Sequence, residues 1–234
     1  MEYLILIILL VLLLIIIFFA FNLSIAKIKR LNELSQNSGL NELVSKFPKN
    51  IEICKSMLKK LNNDEVTIEE DKKTQTSVYI VLTNKIIIGN MKGSFVRIQT
   101  IAHECLHSIQ DKKILIFNYI FANFYNLYFY IVCIFSLFKI VKNYTFQIEI
   151  LAIFGFIYYA VRGFLEYDAM TKAKFLAQEY MEKANIIEIT EVEQIVSEYD
   201  KINDIGIKFN NYLLVVNFIF KLIVVCLIAF ILRW

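Results

Sequence analysis

The sequence contains few prolines, glycines and histidines. Its 234 residues include one proline, six glycines, one tryptophan and only two histidines. Because proline and glycine are the residues least compatible with a helix interior, their scarcity predicts long, uninterrupted helices. The two histidines, His103 and His107, lie four residues apart, so a metal site built on histidine is confined to that one segment.

Cysteine is also scarce, and the net charge is small. None of the four cysteines forms a C-x-x-C pair, and we expect buried free thiols. The net charge is only +3, with lysines and acids interspersed, so the chain lacks the basic footprint of a nucleic-acid-binding protein. No nucleic-acid partner is expected.

What the chain has in abundance is apolar sequence, at 58% of all residues. This balance is rare in soluble domains and indicates a membrane protein. A helix needs about 20 apolar residues to cross a bilayer. Four runs approach or reach that length: 4–21, 114–138, 146–161 and 212–232.

The first run is interpreted as an uncleaved anchor, because it is long, starts with Glu2 in place of a basic residue and has no small-residue cleavage site after it. The chain is therefore predicted to be a mainly α integral membrane protein with about four transmembrane helices. Its parts are an anchor, a cytoplasmic segment with a β-hairpin and the histidine helix, a transmembrane hairpin, a helical segment and a C-terminal transmembrane helix: 1–23, 24–113, 114–161, 162–211 and 212–234.

Lysine and arginine cluster beside the polar segments, which predicts that both segments are cytoplasmic and that the N-terminus is outside. The residues on the predicted inner side are Lys27, Lys29, Arg30, Lys112, Lys113, Arg162, Lys172, Lys174 and Lys208, against Lys139, Lys142 and Arg233 on the other. Within the runs, we expect Lys221 to pair across helices or to reach the interface. We expect Asn118, Asn123 and Asn126 to hydrogen-bond between helices.

The polar segments show local signals. Residues 31–61 have helical periodicity, with Pro48 predicted to separate two helices. The runs SVYIVL (77–82) and KIIIG (85–89) predict a hairpin, followed by a helix over about 94–110. A capping box at Thr190 and Glu193 predicts the start of a further helix.

The segment RIQTIAHECLHSIQD (97–111) has the spacing H-E-x-x-H at His103, Glu104 and His107. Residues four apart stack on one face of a helix, so the two imidazoles can bind one zinc ion at about 2.0–2.1 Å. Glu104 lies beside the first histidine, where it can accept a proton from an activated water molecule. One helical turn thus supplies two ligands and a general base.

A catalytic zinc ion usually has three protein ligands, and the chain has no third histidine. The third ligand must then be a carboxylate or a cysteine. Cys105 lies between the histidines, but its side chain points away from the face they share. Glu166 and Asp168 follow the third apolar run, and two runs separate them from His107, which predicts the same side of the membrane. Either acid is a candidate, and both could instead be solvated charges at a helix exit.

The segments HECLHSIQD (103–111) and LEYDAMTKA (165–173) resemble the HE-x-G-HAIQ and E-F-D-A-S-x-x-A segments of the YugP-like neutral zinc metallopeptidases of bacterial membranes. The order of anchor, motif helix, hairpin, acidic helix and final span is similar too. More distantly, the E-x-x-A pattern is similar to that of HtpX-like and prenyl-protein membrane zincins. The resemblance implies a zincin-like juxtamembrane domain, one catalytic Zn²⁺ ion bound by His103, His107 and Glu166, and Glu104 as the base.

Three residues depart from the family pattern. Leu106 stands where these families carry glycine, and Ser108 replaces alanine. Met170 stands where the HtpX-like group has an aspartate that orients a zinc-bound histidine, which removes one orienting bond. Asp168 and Asp111 are the candidates to replace that aspartate.

The sequence and the resemblance together predict a zinc endopeptidase anchored in a bacterial cell membrane, with a protein or peptide substrate and its site on the cytoplasmic side. Two alternatives stay open: a metalloprotease that cuts inside membrane spans, and a zinc-binding membrane scaffold without activity. The polar SIQDKK that follows the motif favours a site beside the membrane, and the intact Glu104 argues against the scaffold. Substrate identity and oligomeric state do not follow from the sequence.

Overall fold

The structure, a computed structural model, describes residues 1–34, 36–91 and 93–232. Arg233 and Trp234, which end the predicted fourth span, lie outside the described residues. The helices are α1 (Glu2–Ala20), α2 (Ile25–Leu34), α3 (Ser38–Ser45), α4 (Asn50–Lys60), α5 (Arg97–Ile109), α6 (Lys112–Leu137), α7 (Tyr144–Ala184) and α8 (Ile189–Leu232). The strands are β1 (Thr67–Asp71), β2 (Val78–Ile80) and β3 (Lys85–Gly89). The expectation of a mainly helical protein with a small sheet is confirmed.

Four helices, α1, α6, α7 and α8, are long and apolar enough to cross a membrane. This agrees with the four predicted spans and is compatible with a multi-pass membrane protein. The third apolar run is short, but α7 continues through residues 162–184 to a length of 41 residues. No proline occurs after Pro48, so nothing in the sequence forces a break after that run.

The start of α8 differs from the prediction. Thr190 lies inside the helix, whereas the backbone N–H of Glu188 donates to the carboxylate of Glu191 at 2.9 Å. The reciprocal half of a capping box is therefore formed two residues earlier than the predicted pair of Thr190 and Glu193.

The helices and strands form two compact units, and the first consists of Met1–Ser24, Phe117–Phe164 and the chain from Lys208. Lys221 is buried in this unit. Its Nζ donates to Asn126 Oδ1 at 2.6 Å and lies 3.8 Å from the centroid of the Tyr125 ring. The expected pairing of this lysine across helices is thus observed, with Asn126 as its partner. Asn123 differs from the expectation, because its Nδ2 donates to the Tyr119 carbonyl within α6 at 2.7 Å. A Cβ atom at Gly155 would overlap the ring of Phe218, so glycine permits close packing of α7 on α8 here.

The second unit consists of Ile25–Ile116 and Leu165–Ile207 and contains the sheet. The strand order is β1-β3-β2, with β1 parallel and β2 antiparallel to β3. The predicted hairpin is therefore present, with Asn84 in a left-handed conformation (φ 47°) at its link. The strand β1 was not predicted, because its sequence TIEED is acidic and mostly exposed, as suits an edge strand that must avoid pairing with other chains.

Arg97, the first residue of α5, ties that helix to the connection between α3 and α4. Its guanidinium donates to the carbonyls of Val44 (2.8 Å), Phe47 (3.0 Å) and Pro48 (2.9 Å) and to Asn50 Oδ1 (2.7 Å). Burial lowers the pKa of Arg97. Pro48 separates α3 from α4 as predicted, and its carbonyl accepts one of the hydrogen bonds that hold the start of α5 against this connection.

Candidate metal centre

The two histidines lie on consecutive turns of α5, whose other faces are packed in the second unit. Ile98, Ile101 and Ala102 are fully buried on this helix. The His103 and His107 rings lie 4.5 Å apart between centroids at 87° to each other. Their Nε2 atoms are 3.0 Å apart. The helix therefore presents both imidazoles to a single point, as the spacing predicts.

Glu166 lies on α7 and faces this point. Its Oε2 is 3.4 Å from His103 Nε2 and its Oε1 is 3.7 Å from His107 Nε2. One donor atom from each of the three residues lies within 4.8 Å of the others, so the group could hold a metal ion. The two members from the motif are thus joined by a third from outside it.

The cluster is mostly shielded from solvent. The side chains of His107 and Glu166 are 9% and 11% exposed, whereas that of His103 is 19% exposed. A carboxylate taken out of water requires a cation or several hydrogen-bond donors nearby. The buried ligand atoms of the three side chains therefore favour binding of a cation. The greater exposure of His103 indicates that this residue lies nearest to solvent.

Glu104 is buried and points toward the sheet. Its Oε2 accepts a hydrogen bond from the backbone N–H of Tyr79 on β2 at 2.7 Å. Tyr79 pairs with Ile86 of β3 in the antiparallel register, and strand β2 lies at the edge of the sheet. Because the N–H of Tyr79 is directed to Glu104 and not to β3, the outer edge of β2 faces Glu104.

Gln110 was not among the predicted site residues, yet its amide contacts both helices that form the cluster. Its Oε1 is 2.8 Å from Nδ1 of His107, and its Nε2 donates to the Leu165 carbonyl at 2.9 Å and to Asp168 Oδ2 at 3.0 Å. The available signal was its position three residues after His107, on a neighbouring part of the helix surface.

The two candidate orienting acids have different surroundings. Burial raises the pKa of Asp168, but hydrogen bonds from Gln110 and Lys172 and the charge of Lys172 outweigh this effect and hold the pKa below its ordinary value. Asp111 Oδ1 accepts the N–H groups of Lys113 (2.7 Å) and Ile114 (3.2 Å) and so caps the first turn of α6. Of the two acids, Asp168 is the one tied to the cluster, through Gln110.

The residues that depart from the family pattern are packed in the second unit. Leu106 is buried on α5, and the Cε of Met170 lies 3.9 Å from the position of a Cβ at Gly206. Ala169, which the resemblance implies to be a packing position, is fully buried.

Cys105 points away from the cluster, as the helix geometry predicts. Its Sγ is 3.6 Å from the Sγ of Cys54 on α4, and both residues are fully buried. The hydrogen bond with Cys54 and burial raise the pKa of the Cys105 thiol. Both thiols are therefore part of the packed core.

Comparison with protein-family models, with curated proteins and with solved structures finds no match to this chain. A functional assignment must therefore be argued from the site itself.

Proposed function

We propose that this protein is a membrane-anchored, zinc-dependent endopeptidase. The observation that carries the proposal is the convergence of His103, His107 and Glu166 on one point, with Glu104 next to His103 on the same helix. Two imidazoles and a carboxylate are the ligands of several catalytic zinc sites, in which a fourth position stays open for water or substrate. The resemblance to YugP-like and HtpX-like metallopeptidases supports the same assignment.

The distances between the donor atoms fit a small tetrahedral ion. With metal–ligand bonds of about 2.0 Å, ligands at tetrahedral angles lie about 3.3 Å apart. The separations of 3.0, 3.4 and 3.7 Å among the Nε2 atoms of His103 and His107 and the Glu166 oxygens are centred on that value. Mixed nitrogen and oxygen ligands in this geometry favour Zn²⁺ over Mg²⁺ or Ca²⁺, which prefer six or more oxygen ligands.

Glu104 is the proposed general base. A bound zinc ion would supply a Lewis acid that polarises the scissile carbonyl and lowers the pKa of water. Glu104 would take a proton from the attacking water and later deliver it to the leaving nitrogen. The Tyr79 N–H fixes the orientation of this carboxylate through the 2.7 Å hydrogen bond.

The edge strand β2 is the proposed place for the substrate backbone. An extended peptide can add to the outer edge of a sheet through main-chain hydrogen bonds, and the outer edge of β2 faces Glu104. This arrangement favours an unfolded protein or peptide substrate. The lysine and arginine distribution favours a site on the cytoplasmic side, and the resemblance implies a bacterial membrane.

The two alternatives make different demands on the chain. An intramembrane-cleaving protease carries its motif in an apolar span, whereas α5 is not among the four span candidates in the described residues and buries Arg97, Gln99 and Ser108. An inactive zinc-binding scaffold has no use for a base, whereas Glu104 is held in place by Tyr79. Both observations favour the endopeptidase.

The test is zinc analysis of the purified protein in detergent, together with cleavage of an unfolded protein such as casein. We expect one zinc ion per chain, loss of zinc in His103→Ala and Glu166→Ala, and retained zinc without cleavage in Glu104→Gln. Glu182→Ala is the matched control, because Glu182 is an exposed acid on the same helix as Glu166.

Each alternative predicts a different result. Full zinc content in Glu166→Ala would remove that residue from the ligand set. Zinc bound by the wild type without cleavage of any unfolded protein would favour the scaffold. Cleavage of transmembrane peptides alone, with soluble unfolded protein left intact, would favour the intramembrane protease.

A further inference from the structure

The orientation of the Gln110 amide follows from the chemistry of its neighbours. The amide nitrogen faces the Leu165 carbonyl and the Asp168 carboxylate. The Leu165 carbonyl oxygen can only accept hydrogen bonds, so the NH₂ end of the amide must lie on its side. The oxygen of the amide is therefore the end that faces His107.

This orientation determines where the proton of His107 lies. The Gln110 oxygen is 2.8 Å from His107 Nδ1 and is an acceptor, so a neutral His107 must carry its proton on Nδ1. Its Nε2 then presents a lone pair toward His103 Nε2 and Glu166. That is the tautomer that a metal ion bound at Nε2 requires, whereas free histidine prefers its proton on Nε2.

The same amide joins the two helices that supply the cluster. Gln110 is the residue that follows α5, and the carbonyl it contacts belongs to Leu165, the immediate neighbour of Glu166 on α7. A second bond to Asp168 fixes the amide on α7 from the next turn. Displacement of the amide would therefore change both the tautomer of His107 and the position of Glu166 relative to it.

We propose that Gln110 is a positioning residue for the metal cluster: it sets the Nδ1–H tautomer of His107 and holds the Glu166 turn of α7 against the end of α5. The proposal rests on the proposed zinc site. It assigns to an amide the orienting role that the sequence suggested for Asp168 or Asp111. Partners of this kind commonly contribute about 10- to 100-fold to metal affinity.

Two substitutions separate the two functions of the amide. Gln110→Met keeps the length of the side chain and removes both polar ends. Gln110→Glu keeps an acceptor for His107 but loses the donor to Leu165 and Asp168. The matched control is Gln99→Met, because Gln99 also lies on α5 and makes a cross-helix bond, from its Nε2 to Asn203 Oδ1 at 2.6 Å, to α8, which supplies no proposed ligand.

The first measurement is nitrogen NMR of ¹⁵N-histidine-labelled, metal-free protein at alkaline pH. Because the chain has only two histidines, the spectrum contains the signals of two imidazoles. We expect the Nδ1–H signature for His107 in the wild type, in Gln99→Met and in Gln110→Glu, and a shift toward Nε2–H in Gln110→Met. The second measurement is zinc affinity by chelator competition. It should fall about 10- to 100-fold in Gln110→Met, less in Gln110→Glu and not at all in Gln99→Met.

An unchanged tautomer and unchanged zinc affinity in Gln110→Met would overturn the proposal, as would equal effects of Gln110→Met and Gln110→Glu on both measurements. The two proposals fail separately. If the wild type binds no zinc, the proposed function fails, while the tautomer of His107 in the metal-free protein still tests the role of Gln110.

Discussion

Replacement of Arg97 by methionine tests how the motif helix is anchored. The change removes a guanidinium that donates to Val44, Phe47, Pro48 and Asn50, while it keeps an unbranched side chain of similar length. Three of these four bonds lie in the buried interior, and the bond to Pro48 is partly exposed. Water can therefore replace only the last of them.

The expected loss can be worked out from these contacts. A buried acceptor left without its donor costs about 1–3 kcal/mol, so three such acceptors give roughly 3–9 kcal/mol. Removal of the charge also removes the cost of its burial, which is evident in the lowered pKa of Arg97. We therefore expect a loss of about 3–5 kcal/mol in the free energy of unfolding of the second unit, the range seen when one partner of a buried charged network is deleted.

The assay is urea-dependent pulse proteolysis of the protein in detergent, scored by cleavage between residues 25 and 116. The matched control is Arg30→Met, because Arg30 is exposed, and a change there should stay within about 0.5 kcal/mol. A loss below about 1 kcal/mol in Arg97→Met would refute the reasoning, since it would mean that water or relaxation satisfies the three buried acceptors.

Three further predictions concern Glu104 and the first unit. Glu104→Gln should retain zinc and lower the rate of casein cleavage by about 10²- to 10⁴-fold, the usual contribution of a general base, measured as turnover at saturating substrate. Asn126→Leu should lower stability in mixed-micelle unfolding more than the double change with Lys221→Met, because the single change leaves the buried ammonium without its acceptor; equal losses would contradict this. Gly155→Ala should cost about 1–3 kcal/mol in the same assay through overpacking, whereas Gly163→Ala, where a Cβ meets only an ordinary contact at 3.5 Å, should cost less.

The elements with a strong period or a clear interruption could be predicted from the sequence. The apolar runs, the break at Pro48 and the hairpin around Asn84 each follow from a local property of the chain, and the structure contains them. The predicted start of α8 was two residues too late, because several acids near position 190 are equally able to accept an N–H bond. The strand β1 gave no signal, since its stability comes from pairing with β3 and not from its own residues.

In the candidate site, too, local features could be predicted from the sequence and contacts between distant residues could not. The spacing of His103 and His107 is a property of one helix, so the approach of their rings could be predicted from the sequence. The approach of Glu166 depends on how two distant helices pack, so the sequence favoured this residue but left Asp168 open as a less favoured candidate. Residue spacing brings Gln110 near His107, but the role of Gln110 depends on which way its amide faces. That orientation is decided by the Leu165 carbonyl and the Asp168 carboxylate, which belong to a distant helix.

The cluster draws its members from two stretches of chain that the ribosome makes at different times. The histidine helix is complete at residue 109, whereas Glu166 follows only after α6 and the first half of α7 have been synthesised. A growing chain therefore holds two donors but not the third until the later helix is made and packs against α5. On the proposed function, the growing chain cannot cut itself or a neighbouring nascent chain before Glu166 is synthesised, because the zinc site lacks its third ligand until then.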